Sequence, residues 1–329
     1  MDLVQKTRQF LADEKIDYLL VNATNEFLVE YSELSENSRY FLTNFSGSTG
    51  DALISKDSLF LFVDGRYHEQ ADLEVNHNKV TVVKLKLGQS FSEPFKAKIK
   101  KGKTLGIVAK KNSQGRLEIF ESLLKDKNIK IKLLDFDPVE NFVEQTKAKK
   151  KTSDIQQIDL KITGESPEKK LKKIFTQINS NEALFVTNLE EVSYICNLRD
   201  FSQNYSSKIK AKCLITKNKA ILFTDEEINF SLENFEIKKL NDFKNYVDGL
   251  KFVETFFADK SLMNIHDYKV LESRAKVIHK GFVKDMKSVK NNSEIEHYKK
   301  CFERTDKAIY EVREFIENTK NISEYDIAK

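Results

Sequence analysis

Two stretches of this chain lie over one another without a gap. Residues 52–64 read ALISKDSLFLFVD and residues 213–225 read CLITKNKAILFTD, and six of the thirteen positions are identical. Each stretch is an apolar run, a short polar break, a second apolar run and a closing Asp, the pattern of strand, tight turn and strand. Upstream, DYLLVN at 17–22 resembles ALFVTN at 183–188, an apolar strand leading to an Asn with an acidic residue shortly after it in both places. Tandem duplication of one fold explains both matches.

What surrounds the hairpins fits an α/β layer. Leu3, Val4, Thr7, Phe10 and Leu11 form a helical stripe behind an Asp2 cap, and Tyr18–Val21 follows as a continuous apolar strand. Further strand windows at 80–85, 105–108 and 131–134 alternate with helical ones, which predicts helices covering a mixed sheet. The chain has 329 residues, 40% of them apolar, enough for two ordinary cores. The first unit is expected to span 1–146. A basic polar run at Lys147–Ser153 reads as a linker with nothing to bury. The second unit is expected over 153–286.

From residue 287 the character changes. Ser293-Glu294-Ile295-Glu296 reads as a capping box, and Ile295, Tyr298, Phe302, Ile309, Val312 and Ile316 continue as an amphipathic stripe. This predicts a long helix opening a third segment, 287–329, with a further helix beginning near Ser323. The stripe needs another element to cover it, so the third domain is expected to be unfinished at Lys329.

Charge and cysteine usage narrow the function classes. Fifty-five basic against 51 acidic residues leave a net charge of +4, too small to argue for nucleic acid or an anionic membrane as partner. No apolar run approaches the ~20 residues of a membrane span, and no basic stretch leads an apolar core at the N-terminus. Cys196, Cys213 and Cys301 are odd in number and widely spaced in apolar surroundings, which predicts reduced, buried thiols and a cytoplasmic location.

Several motifs together resemble a known family. Arg39–Gly50 (RYFLTNFSGSTG), followed after the hairpin by Val63-Asp64-Gly65-Arg66-Tyr67, looks like the paired signature of the first domain of Xaa-Pro aminopeptidases, members of the creatinase-like metallopeptidases. Leu189–Tyr194 running into Asn197-Leu198-Arg199 is similar to the family's helix and Asn-Leu-Arg-Gly turn in the second domain, and Lys287–Asn291 with Glu294 resembles the lead-in to its catalytic domain. The departures are Asp200 in place of Gly, Tyr205 in place of Pro, and lysines in place of a Pro-rich linker. The resemblance covers nearly the whole chain and implies the three-domain form: two creatinase N-terminal-like domains, then the first helices of a truncated pita-bread catalytic domain.

The activity implied is hydrolysis of the bond between an N-terminal residue and a following proline, by a water held between two divalent metal ions, usually manganese. Such a site needs carboxylates and histidine converging on two metals roughly 3.5–4 Å apart. His68, His77, His266, His279 and His297 are scattered, and none has a partner at a metal-binding helical spacing. No catalytic residue and no metal ligand is therefore assigned in this chain; the resemblance places the ligands beyond Lys329. It assigns peptide-substrate contact to Arg66, and the alternative is that Arg66 pairs with Asp64 and fixes the turn. Arg199 is a weaker candidate for an interdomain or dimer contact, its alternative a surface salt bridge. Gly47 and Gly50 do not make a phosphate loop, because no Lys-Ser/Thr follows and the loop runs into a strand.

Two functions stay open. One is the front portion of an aminopeptidase, shaping substrate access and supporting a homodimer that acts on peptides with proline at the second position. The other is a stand-alone peptide- or protein-binding module without hydrolase activity.

Overall fold

A computed structural model describes residues 2–143, 153–202 and 206–328. The lysine-rich run at 147–152 and Tyr205 lie outside the described residues.

The first unit is a six-stranded mixed sheet. Its strands are β1 (Tyr18–Val21), β2 (Asp51–Ser55), β3 (Leu59–Val63), β4 (Thr81–Lys84), β5 (Thr104–Val108) and β6 (Lys130–Leu134), in the order β4-β3-β2-β1-β5-β6. Helices α1 (Leu3–Asp13), α2 (Ser38–Thr43), α3 (His68–Glu74), α4 (Ser92–Lys98), α5 (Gln114–Leu123) and α6 (Pro138–Val143) accompany it. Helix α1 starts at Asp2, whose side chain accepts from the Gln5 amide while the Gln5 side chain accepts from the Asp2 amide. Alternation along the strands divides the core in two: Leu19, Val21, Ala52 and Ile54 fill one face, and Tyr18, Leu20, Leu53 and Phe62 the other.

The second unit repeats this plan. In chain order it has β7 (Ile155–Gln157), α7 (Leu160–Thr163), α8 (Pro167–Phe175), β8 (Glu182–Val186), α9 (Leu189–Cys196), β9 (Leu198–Asp200), β10 (Lys212–Thr216), β11 (Lys219–Phe223), β12 (Phe235–Lys238), α10 (Phe243–Gly249), β13 (Thr255–Ala258), α11 (Ile265–Arg274), β14 (Lys276–His279) and α12 (Val283–Ser288). Its sheet order, β12-β11-β10-β8-β13-β14, and the sense of every pairing reproduce those of the first unit. Strands β7 and β9 add a two-stranded antiparallel ribbon with no counterpart there.

Register makes the duplication residue-specific. Ala52 faces Leu61, and Cys213 faces Leu222, as the ungapped hairpin match requires. The upstream match is corrected by one position. Val21 pairs with Ala52 and Val186 with Cys213, so the counterpart of Asn22 is Thr187, not Asn188. A one-residue slip would turn every side chain of the strand to the opposite face, and the pairings of β1 with β2 and of β8 with β10 fix which residue takes which face.

The equivalence exposes a charge-swapped pair. Asp51 and Lys212 occupy the same position, opposite Phe62 and Phe223. Arg116 and Asp267 each lie three residues past the N-cap of equivalent helices, Ser113 of α5 and Asn264 of α11. Arg116 Nη2 meets Asp51 Oδ2 at 2.7 Å in one unit, and Lys212 Nζ meets Asp267 Oδ2 at 2.7 Å in the other. The two helix starts also dock on each other: Ser113 bridges Asn264, the Ile265 amide donates to Asn112 O, and Ile265 is buried in the core of the first unit. Across this junction Lys210 pairs with Glu36 at 2.9 Å and Lys260 with Glu118 at 2.9 Å.

The third segment is α13 (Asn292–Asn318), then α14 (Glu324–Ala328). Its cap is Asn291, not Ser293: Asn291 and Glu294 exchange side-chain and backbone hydrogen bonds, and Asn291 Nδ2 also donates to Thr163 O, anchoring the helix start to α7. The apolar stripe is open to solvent, with Phe302 64% and Ile309 61% exposed.

Candidate functional site

The Asp64-Gly65-Arg66-Tyr67 turn sits at the C-terminal end of β3. Asp64 caps a single 3₁₀ turn by accepting from the Arg66 amide, and the Arg66 side chain folds back onto the same carboxylate, Nε to Oδ1 at 3.0 Å and Nη2 to Oδ2 at 2.9 Å. Hydrogen bonding from Arg66 holds the Asp64 carboxyl down at about 2. Arg66 Nη2 also donates to Thr49 Oγ1, and the Arg66 side chain is 63% exposed. The pair is bidentate and open to solvent, so a ligand carboxylate or carbonyl would compete with Asp64 for the same edge of the guanidinium.

Beneath this turn lies Arg39, fully buried. It donates to Gly50 O at 2.9 Å and to Phe45 O and Gly47 O, and its guanidinium stacks 4.7 Å from the Phe45 ring. Burial lowers its pKa to about 10, against the opposing field of Asp51, Tyr67 and Glu74. Arg39 thereby fixes the loop at 45–50, and that loop places Thr49 against Arg66 and Ser48 against the Tyr67 hydroxyl at 2.8 Å. Gly50 stands at φ +118°, where a Cβ would come within 2.7 Å of Phe62 O. The loop enters strand β2 as a tight turn, the role expected of its glycines.

Arg199 lies elsewhere. Helix α9 ends on Asn197 in the left-handed region at φ 53°, and the buried Lys170 ammonium donates to Asn197 Oδ1 at 2.6 Å and Tyr194 O at 2.8 Å. Burial lowers the Lys170 pKa to about 8, with Glu294 and Glu165 opposing. Arg199 follows on β9 and donates Nη1 to Ser193 O at 3.0 Å and Leu198 O at 2.8 Å. It forms no salt bridge with a described residue. It borders a cleft of about 1030 Å³ together with Tyr31 of the first unit and Tyr298 of α13. Asp200 points the other way, buried, its Oδ1 accepting from the Asp154 and Ser202 amides. That anchoring accounts for Asp where the resemblance has Gly.

Among the described residues no group of three or more His, Cys, Asp and Glu side chains is placed to hold a metal. His77 Nε2 meets Asp72 O at 3.0 Å, His279 Nδ1 accepts from the Lys260 amide at 3.1 Å, and His297 Nε2 lies 3.4 Å from Cys301 Sγ. These residues do not fit a two-metal centre, so no metal-assisted step is assigned to them. Cys196 and Cys213 are buried and free, as expected, while Cys301 is partly exposed on α13, where its helix has no cover. No helix among the described residues is long and apolar enough to cross a membrane.

Comparison with known proteins adds the family. Residues 4–142 match the creatinase/prolidase N-terminal domain, and residues 145–294 match a second model of the same description. Xaa-Pro aminopeptidase 1 of Dictyostelium discoideum is 26% identical over 235 residues, covering 68% of this chain and 37% of the relative. A probable Xaa-Pro aminopeptidase P of Coprinopsis cinerea is 24% identical over 363 aligned positions, covering 97% of this chain and 56% of the relative. The crystal structure of an X-prolyl aminopeptidase from Caenorhabditis elegans, described as a cytosolic enzyme with a di-nuclear active site, superposes with a TM-score of 0.85 at 17% identity, over 96% of this chain and 55% of that one. The chain thus spans about half the length, or less, of the relatives it matches. With the repeated sheet, the repeated register and both domain matches in hand, this protein belongs to the creatinase/prolidase N-terminal domain family and carries that domain twice.

Proposed function

We propose that the chain is the front, non-catalytic portion of a metal-dependent Xaa-Pro aminopeptidase that releases an N-terminal residue preceding proline. The observation that carries this reading is collinearity: both domains and the start of α13 align in one order over 97% of the chain with a probable Xaa-Pro aminopeptidase P. In this reading 1–146 and 153–286 are the two leading domains, and 287–329 opens the catalytic domain, the rest of which covers the exposed stripe on α13. The two divalent metals, manganese by preference, belong to that later part. The leading domains shape access to the active site, support a homodimer and act in the cytoplasm. Arg66, on an exposed turn held by Arg39 and the 45–50 loop, contacts the peptide substrate by trading Asp64 for a substrate oxygen.

The test is kinetic. In a polypeptide that carries this chain followed by its catalytic domain, Arg66→Ala should raise KM or lower kcat/KM for an Xaa-Pro peptide while the fold is unchanged. Unaltered kinetics would remove Arg66 from the substrate site. A coding sequence that stops after Lys329 would overturn the larger reading in favour of a stand-alone binding module.

A further inference from the structure

Arg66 and Arg199 differ in what their guanidinium groups have left to give. A carboxylate is received best along one edge of the fork, where two parallel N–H donors meet its two oxygens. At Arg66 the Nε/Nη2 edge is already closed by Asp64. At Arg199 the two backbone carbonyls take Nη1 alone, so Nε and Nη2 donate to nothing among the described residues. Those carbonyls, one from the last turn of α9 and one from β9, also fix the plane of the group without neutralising it. Burial lowers the Arg199 pKa, opposed by Tyr298, so an anion that arrives there relieves an uncompensated charge.

The other cations around the cleft already have partners, a shared carboxylate for two of them and backbone carbonyls for the third. Lys208 and Lys287 share Glu190, at 3.4 and 3.2 Å. Lys290 turns back onto Lys287 O and Ser288 O. Glu294 accepts from the Asn291 amide in the helix cap. The volume, about 1030 Å³, is at the upper end of what small-ligand sites occupy and suits a short extended peptide. Tyr31 and Tyr298, from two different segments, border it with exposed rings against which a peptide chain can lie.

We propose that this cleft is a peptide-binding site in which the Nε/Nη2 edge of Arg199 takes the terminal carboxylate of the bound peptide. The cleft is centred on Arg199; its Tyr31 wall follows Glu30, which accepts from Ser48 beside the Arg66 turn, and its Tyr298 wall lies on the α13 stripe, so in the aminopeptidase reading the later part of the catalytic domain borders it as well.

The experiment is a titration of the arginine-¹⁵N-labelled chain with N-acetyl-tetra-alanine, as free acid and as C-terminal amide, followed at the Arg199 Nε–H signal identified by its loss in Arg199→Met. The expected result is a saturable shift of that signal with the acid, and binding about 10- to 100-fold weaker for the amide, the factor that a charge-assisted pair contributes. Arg199→Met should weaken acid binding by the same factor. Equal binding of acid and amide, an undisturbed Arg199 signal, or inorganic phosphate displacing the peptide at equal affinity would overturn the proposal. The acid-against-amide comparison is made on the unaltered protein, so a folding defect in Arg199→Met cannot mask the outcome.

Discussion

The charge-swapped pair gives a quantitative prediction. Lys212 and Asp267 have side chains only 5% and 3% exposed and meet at 2.7 Å. Burial works against the Lys212 ammonium, but Asp267 and Glu26 outweigh it and raise its pKa. Breaking a buried pair costs about 3–5 kcal/mol, mostly through the charge left behind. The two single replacements should differ. Asp267→Asn leaves Lys212 with Glu26 at 3.4 Å, which places its cost near the lower end, about 3 kcal/mol. Lys212→Met leaves the buried Asp267 carboxylate without a cation, which places its cost near the upper end, about 5 kcal/mol. The double variant Lys212→Met/Asp267→Leu removes both charges and should be less destabilised than the sum of the singles by about 2–3 kcal/mol. Urea unfolding of the four proteins measures the cycle. Losses below about 1 kcal/mol for both singles, or strict additivity, would refute the claim that this pair is a coupled, buried feature of the second unit.

Three further predictions concern the candidate site and its supports. Gly50→Ala forces a Cβ into the space of Phe62 O at positive φ and should cost about 2 kcal/mol, read as a lowered melting temperature; an unchanged melt would mean that the loop relaxes freely. Arg39→Met removes the donors that hold the carbonyls at 45–50 and should cost about 3 kcal/mol with faster proteolysis within that loop, whereas the exposed Arg66→Ala should leave the unfolding midpoint in place. Lys170 carries a pH signature: its pKa falls from about 10.4 in the unfolded chain to about 8 when folded, so between those values the unfolded chain holds a proton that the native state has released. Stability should accordingly rise from pH 8 toward pH 10 in the native protein relative to Lys170→Met, and a flat or falling difference in urea midpoints would contradict it.

Much of the fold was legible because local pattern and burial agree. Tyr18–Val21 is continuously apolar because β1 is covered on both faces, and the hairpins share their register because the gapless sequence match carries the same pairing, Ala52 with Leu61 and Cys213 with Leu222. The slip at Asn22 arose where continuous apolar runs carry no alternation to fix a face, so that only the pairing with β2 and β10 decides it. The cap at Asn291 was missed because Ser293 and Glu296 also satisfy the box spacing, and the choice depends on Thr163, far away in sequence. The same holds for Arg39, Lys170 and the Asp51–Arg116 and Lys212–Asp267 pairs. Each is an ordinary charged residue in the sequence and becomes distinctive only when a non-local partner buries it. Arg66 was found through its motif, but its closure by Asp64 and the open edge of Arg199 are properties of hydrogen-bond geometry that spacing does not encode.

The most direct test of the central claim is hydrolysis of an Xaa-Pro tripeptide by the purified 329-residue chain with added manganese. Separation of the substrate-facing domains from the metal ligands predicts no turnover above a chelator-treated control. Robust, chelator-sensitive release of the N-terminal residue would show that the chemistry resides in this chain, and would contradict the account.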